Sequence, residues 1–293
     1  MRSVMKMTGS RKKSMDGSEF FTREPGKGAG ARKHGVIRCD DAGRYFVETD
    51  MSQRVVLMSS SRTDARGYLE HAAEPLHAVL RHEAREVLFV PYADVALDFD
   101  AYEAKVREAL AAFGYRVTSI HHAADPLAAL ERAEAIAVGG GNTFALLKRL
   151  YDAGLVEAMR AKVRAGTPYI GWSAGSNVAC PTIRTTNDMP IVAPPTLDAL
   201  GLVPFQINPH FISGKPAGHH GESREERLGE FLEINAPEAV LALPEGSALL
   251  SDGVRGTVLG ARGALHFRRA TPPAALAEHH SFDLADIVGP AAR

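Results

Sequence analysis

The sequence predicts an α/β fold, doubly wound around a mainly parallel sheet with helices on both faces. Three observations predict it. Strand-like and helix-like segments alternate from residue 53 onward with short connections. The strand-like runs are short, apolar and rich in β-branched residues, as in a sheet buried on both faces. Two of them end in glycine-rich turns that lead into helices, Gly139-Gly-Gly-Asn-Thr143 and Gly171-Trp-Ser-Ala-Gly175. Right-handed crossovers follow from that alternation.

Each element has its own signal. Arg54-Val-Val-Leu-Met58 is a buried strand ending in a serine-rich turn, and 68–83 follows with Leu69, Ala72, Leu76, Val79 and Leu80 at helical spacing. Strand 86–91 and helix 99–113 repeat the pattern, the helix with Tyr102, Val106, Leu110 and Phe113. Strands follow at 116–120 and 135–138 around a helix of 125–132. Helices 143–152 and 154–165 then lead into strand 168–172. After residue 181 the rhythm is less regular. Candidate strands stand near 206–208, 240–243, 248–250, 257–259 and 264–267, with a charged helix at 223–235. Their close spacing with glycines between them predicts an antiparallel edge to the sheet.

This organisation divides the chain into 1–52, 53–270 and 271–293. The first segment mixes basic residues with Gly and Ser (Arg11-Lys-Lys13, Pro25-Gly-Lys-Gly28) and has no sustained period, which predicts a disordered extension. It lacks an apolar signal-peptide core, and its acidic residues argue against a transit peptide. Met51, directly before the first strand, is an alternative start. The Ala- and Pro-rich 271–293 reads as a loosely ordered tail. The chain has 293 residues, 45% of them hydrophobic, enough to bury a sizeable core. The 34 Lys and Arg nearly balance the 35 Asp and Glu, so no global basic field exists to hold nucleic acid. Apolar runs fall short of the roughly 18 residues a membrane span needs. Two cysteines, Cys39 and Cys180, exclude a disulfide framework and fit a reducing, cytoplasmic setting.

Gly171-Trp-Ser-Ala-Gly175 lies between a strand and a short helical stretch, the context in which G-x-S-x-G acts as a nucleophile elbow. The turn lifts the Ser173 hydroxyl above the carboxyl ends of the strands and aims the Ala174 N–H at an incoming carbonyl oxygen. The alternative is a capping serine in an ordinary turn. The 139–143 turn has neither the Lys-Ser/Thr of a P-loop nor the spacing of a dinucleotide fingerprint, so no nucleotide cofactor is expected. If it lies beside the elbow, the Gly141 N–H is a second oxyanion donor. A serine needs a base to ionise at neutral pH, and His210 stands where an apolar run ends, in Gln206-Ile-Asn-Pro-His-Phe211. Two carboxylates are placed to orient it, Asp188 in a polar loop and Glu245 directly after a strand. Sequence does not choose between them. His219-His220 has no partner set of ligand spacing, so no metal is expected.

These segments together resemble peptidase E, the α-aspartyl dipeptidase family of serine peptidases. The resemblance rests on 139–144, 169–175, 180–192, 206–211 and 243–246, in the family's order, and covers about 53–270. It implies a fold similar to class I glutamine amidotransferases, with Ser in place of their Cys. It also implies hydrolysis of Asp-Xaa dipeptides in the cytoplasm without a metal. Carried over by position, Ser173 is the nucleophile, His210 the base, Asp188 or Glu245 the third member, and Gly141 and Ala174 the oxyanion donors. Choosing aspartate requires a cation. Arg184 is the candidate from its position after the elbow helix, and a salt bridge to Asp188 or Glu245 is its alternative role. Two other functions stay open: a cyanophycinase-like serine hydrolase of the same fold acting on β-linked aspartyl polymers, and a non-catalytic relative that kept the pocket.

Overall fold

The computed structural model describes residues 11–13, 19–21, 35–39, 45–49, 53–80, 84–215, 218 and 220–288, with side chains from Gln53 onward. Contacts divide the chain into two units, Met1–Asp50 and Met51–Arg293. In the first, β1 (Arg11–Lys13) pairs antiparallel with β2 (Glu19–Phe21), and β3 (Gly35–Cys39) with β4 (Tyr45–Thr49). The rest of the expected extension, 1–52, lies outside the described residues.

The second unit opens with β5 (Val55–Met58), α1 (Ala73–Leu80), β6 (Glu86–Val90), α2 (Phe99–Ala111) and β7 (Arg116–Ser119). It continues through α3 (Pro126–Arg132), β8 (Ala135–Val138), α4 (Thr143–Asp152), α5 (Leu155–Arg164), β9 (Tyr169–Trp172) and the short α6 (Ala174–Asn177). The five strands lie parallel in the order β5-β9-β8-β6-β7. Helix α1 starts later than the periodicity from residue 68 predicts, because Leu69 adopts a left-handed conformation (φ 57°) and 70–72 form a 3-10 turn.

Period-2 alternation sorts each strand onto two cores. Val55, Leu57, Val138 and Ile136 face α4, α5 and α6, whereas Val56, Met58, Phe89 and Trp172 face α1 and α2. All eight side chains are essentially solvent-free, each worth roughly 1.5–3 kcal/mol by burial for a residue of Val or Leu size.

The remaining elements are β10 (Gln206–Asn208), α7 (Arg224–Ile234), β11 (Ala239–Ala242), β12 (Ala248–Ser251), β13 (Arg255–Leu259), β14 (Ala264–Arg268), β15 (Ala274–Leu276), β16 (Ser281–Asp283) and α8 (Leu284–Val288). The expected antiparallel edge exists, but only β12, β13 and β16 build it, onto β5. A second sheet, β10-β11-β14-β15, takes the others, with β10 and β11 parallel. Pro244 and the left-handed Gly246 (φ 84°) interrupt the chain between β11 and β12, so the two strands enter different sheets. Val240 and Ala242 face α7 with Leu228 and Leu232, while Leu241 and Leu243 join the large core. The segment read as a loose tail carries β15, β16 and α8, and buries Phe282, Leu284 and Ile287; residues 289–293 lie outside those described. Among the described residues no helix is long and apolar enough to cross a membrane.

Candidate active site

Ser173 leaves the carboxyl end of β9, the strand between β5 and β8, at φ 53° and ψ −114°. A non-glycine residue there stores about 1–3 kcal/mol of strain, and the surroundings hold it. The Ser173 N–H donates to the Met58 carbonyl at 3.1 Å, and the Tyr169 hydroxyl donates to the Gly175 carbonyl at 2.6 Å. Gly175 is required by close approach: a Cβ there would stand 2.1 Å from the Val138 carbonyl oxygen, so only glycine lets α6 rest on β8. Ala174 is the first residue of α6, and its N–H has no acceptor within the helix.

The neighbouring turn, after β8, is equally constrained. Gly141 has φ +140°, and a Cβ on it would meet the Ala93 carbonyl oxygen at 2.3 Å. Asn142 caps α4 by accepting from the Ala145 N–H at 3.0 Å, and its amide donates to the Met189 carbonyl at 2.9 Å. The Tyr102 hydroxyl donates to the Gly140 carbonyl at 2.9 Å. Gly141 and Ser173 therefore rim one cleft of about 630 Å³ at the carboxyl edge of the sheet, where open α/β sheets bind ligands.

His210 and Glu245 come from the other sheet. They follow the parallel neighbours β10 and β11, and this pairing brings the two loops together. His210 Nε2 lies 3.0 Å from Ser173 Oγ, and Nδ1 lies 2.7 Å from Glu245 Oε1. Both the imidazole and the carboxylate are 39% exposed, so the relay opens to solvent. Of the two acids the sequence offered, Glu245 is the one beside His210. Asp188 sits instead at the start of α4, accepting from the Thr143 N–H at 2.8 Å, the Thr143 hydroxyl at 2.5 Å and the Thr186 hydroxyl at 3.1 Å. A carboxylate there suits the positive end of the helix.

Sequence reading passed over Ser59, which links the two sheets. Fully buried at the end of β5, its hydroxyl donates to the Leu243 carbonyl at 2.7 Å and accepts from the His210 N–H at 2.9 Å. It fixes His210 at an unusual φ of 52°. Nothing in a serine-rich turn announces this, because its partners lie 151 and 184 residues away. Ser59→Ala leaves the His210 N–H unpaired, while the Leu243 carbonyl keeps the Phe211 N–H at 3.0 Å. The expected cost is about 1–3 kcal/mol of stability in urea unfolding, with roughly a tenfold fall in kcat as His210 loosens.

Arg184 does not join the site. Its guanidinium pairs with Glu238 and Asn235, lies 3.2 Å from the Thr182 hydroxyl, and covers the Phe231 ring at 5.3 Å. Neither Asp188 nor Glu245 is its partner; it ties the segment after α6 to the end of α7. Arg224, overlooked in the charged run Arg224-Glu-Glu-Arg227, is different. It is half-buried at the first turn of α7, and its Nη1 is buried with no hydrogen-bond partner among the described residues. Burial lowers its pKa, and so does Arg227, while the Asp188 carboxylate opposes them. The 186–188 turn in front of it is bound to Thr143, next to the glycine loop, and to the Pro209 carbonyl through Asn187 at 2.9 Å. Arg224 thus belongs to the same end of the molecule as His210.

Among the described residues one group has a metal-binding donor set, Asp100, Glu103, His121 and His122, with ligand atoms within 4.8 Å of one another. Its members pair among themselves, His121 with Asp100 at 3.0 Å and His122 with Glu103 at 2.7 Å. His219 lies outside the described residues.

Comparison with known proteins identifies the family. The sequence model of the family described as Peptidase family S51 matches residues 55–259. The chain is 50% identical over 232 residues to Peptidase E of Pasteurella multocida (strain Pm70), covering 79% of this chain and 99% of that protein. It is 53% identical over 224 residues to Peptidase E of Streptomyces coelicolor, covering 76% and 90% respectively. A crystal structure of a peptidase from an acI-B1 Actinobacterium superposes with a TM-score of 0.60 at 17% identity, over 79% of this chain and 97% of that one, which bears on the fold alone. With the family match extending over well more than half of its length, the chain belongs to peptidase family S51.

Proposed function

We propose that this protein is a serine dipeptidase that hydrolyses Asp-Xaa dipeptides through an acyl-enzyme on Ser173. The observation that carries the reading is the Ser173–His210–Glu245 relay, at 3.0 and 2.7 Å, set at the carboxyl edge of the sheet beside a rigid glycine loop. His210 accepts the hydroxyl proton as Oγ attacks the peptide carbonyl, and returns it to the leaving amine. Glu245 holds Nδ1 and offsets the charge of the imidazolium. The N–H groups of Gly141 and Ala174 receive the oxyanion, each worth roughly 3 kcal/mol of barrier when well aimed. Water then attacks the acyl-enzyme along the same path. No metal or organic cofactor is needed for these steps. Cys180, free and buried with its pKa pushed up to about 12, has no part in them and fits a cytoplasmic protein.

Aspartate selection is the finer part of the reading, and relatives that share half of their residues with this chain bear the name Peptidase E. With Arg184 engaged elsewhere, Arg224 is our candidate for the β-carboxylate. Its unpartnered, desolvated Nη1 offers the planar fork a carboxylate accepts bidentately. Release of free aspartate from Asp-Leu, beside Asn-Leu, Glu-Leu and β-Asp-Leu, tests both parts. Wild type should favour Asp-Leu, and Arg224→Lys should narrow the Asp-Leu to Asn-Leu ratio of kcat/KM by about 10–100-fold, the worth of a charged hydrogen-bond pair. Preferred cleavage of β-Asp-Leu would point instead to a polymer-cutting hydrolase, and an unchanged ratio would exclude Arg224.

A further inference from the structure

We propose that Lys105 holds the C-terminal carboxylate of the substrate's second residue, so that the cleft itself selects dipeptides. This rests on the reading of the site as a dipeptidase. Lys105 stands on α2, one turn beyond Tyr102, and lines the same cleft as Ser173, His210 and Gly141. Its ammonium sits 4.0 Å from the centre of the Tyr68 ring, and the Arg62 guanidinium approaches that ring at 6.0 Å. Two cations share one aromatic platform at the cleft.

Among the described residues no carboxylate pairs with Lys105. The cleft's own acids are engaged by backbone: Asp98 caps α2 through the Ala101 N–H at 3.0 Å, and Asp94 accepts from Asp98 at 2.9 Å and Ala96 at 3.3 Å. Desolvation and the like charge of Arg62 both pull the Lys105 pKa down, the condition of an ammonium lacking an anion. The Tyr68 hydroxyl and Trp172 Nε1 lie beside the same cleft and are buried against each other and against Tyr102. Trp172 directly precedes Ser173 and Tyr102 lies one turn before Lys105 on α2, so this aromatic group spans from the elbow to Lys105.

The element Lys105 lacks is an anion. In a dipeptide that element is the terminal carboxylate, about 3.8 Å further along the chain. A flexible point charge at a half-open cleft tolerates many second side chains while still demanding the terminus. Longer peptides would place a neutral amide there and leave the ammonium unpaired.

Steady-state rates on Asp-Leu, Asp-Leu-amide, Asp-Leu-Leu and Asn-Leu test the inference, with wild type, Lys105→Met and Lys105→Arg. Wild type should favour Asp-Leu over its amide by about 10–100-fold in kcat/KM, mostly through KM. Lys105→Met should bring the two together with kcat within about twofold, and Lys105→Arg should keep most of the preference. An acid-to-amide ratio that is flat in wild type, or the same in wild type and Lys105→Met, would overturn the inference, as would a loss confined to the Asp-to-Asn ratio. If Lys105→Met fails to fold, the wild-type ratio and Lys105→Arg still decide. Failure of the aspartate reading appears separately, as Asn-Leu cleaved as well as Asp-Leu, and leaves the acid-to-amide comparison readable.

Discussion

Ser173→Ala should lower kcat by about five orders of magnitude, with the protein folded and KM little changed. Removing Oγ leaves His210 and the glycine loop in place but deletes the hydroxyl that lies 3.0 Å from the imidazole. The residual rate would come from oriented water and the oxyanion donors, as in other serine hydrolases stripped of their nucleophile. Alanine keeps the strained φ of 53°, so thermal stability should hardly move. Ser173→Gly should be as inactive yet more stable by about 1 kcal/mol, since glycine occupies that conformation freely. Mass spectrometry after treatment with a fluorophosphonate gives the second readout: wild type gains one adduct on Ser173 and both variants gain none. Activity above about one per cent in Ser173→Ala would remove this residue from the chemistry.

Glu245→Gln should come next in size, with kcat down by about 10³–10⁴-fold. The amide is isosteric, yet it offers no negative charge to the imidazolium and can present an N–H to Nδ1, favouring the wrong tautomer. Glu245→Asp retracts the carboxylate by one methylene and should recover part of the loss. Asp188→Asn makes the contrast. It weakens three accepted hydrogen bonds at the start of α4, so it should reduce stability by about 1–2 kcal/mol and kcat by no more than about a hundredfold, through the glycine loop. Kinetics and urea unfolding on the same preparations separate the two acids. Equal loss in both, without destabilisation of Asp188→Asn, would contradict the relay.

Local chemistry explains which parts of this site were legible. The turns at Ser173 and Gly141 are written in consecutive residues, because close backbone approach demands glycine where it occurs. His210 was legible from its place after a short apolar run. Which acid lies beside it was not, since Asp188 and Glu245 have the same sequence credentials and only the parallel pairing of β10 with β11 brings Glu245 to His210. Arg184 and Arg224 show the same limit. A guanidinium's partner is set by three-dimensional neighbours, here Glu238 for one and, among the described residues, none for Nη1 of the other. Strand periodicity gave the parallel half of the large sheet nearly residue by residue. It could not assign β10, β11, β14 and β15 to a second sheet, because alternation reports burial and not the partner strand. The apolar spacing of Phe282, Leu284 and Ile287 was hidden among Ala and Pro.

Under the proposed function, the placement of Ser173 on one sheet and of His210 and Glu245 on another has a consequence for the nascent chain. Ser173 is synthesised 37 residues ahead of His210, and Glu245 follows 35 residues later still. The parallel strands β5 to β9 can assemble during that interval, yet they present only an unactivated alcohol. Hydrolytic competence arrives when β10 and β11 pair and Ser59 clasps the loop behind His210. Catalysis is thus an end-of-assembly signal, and a partly made or partly unravelled chain is a chemically silent one.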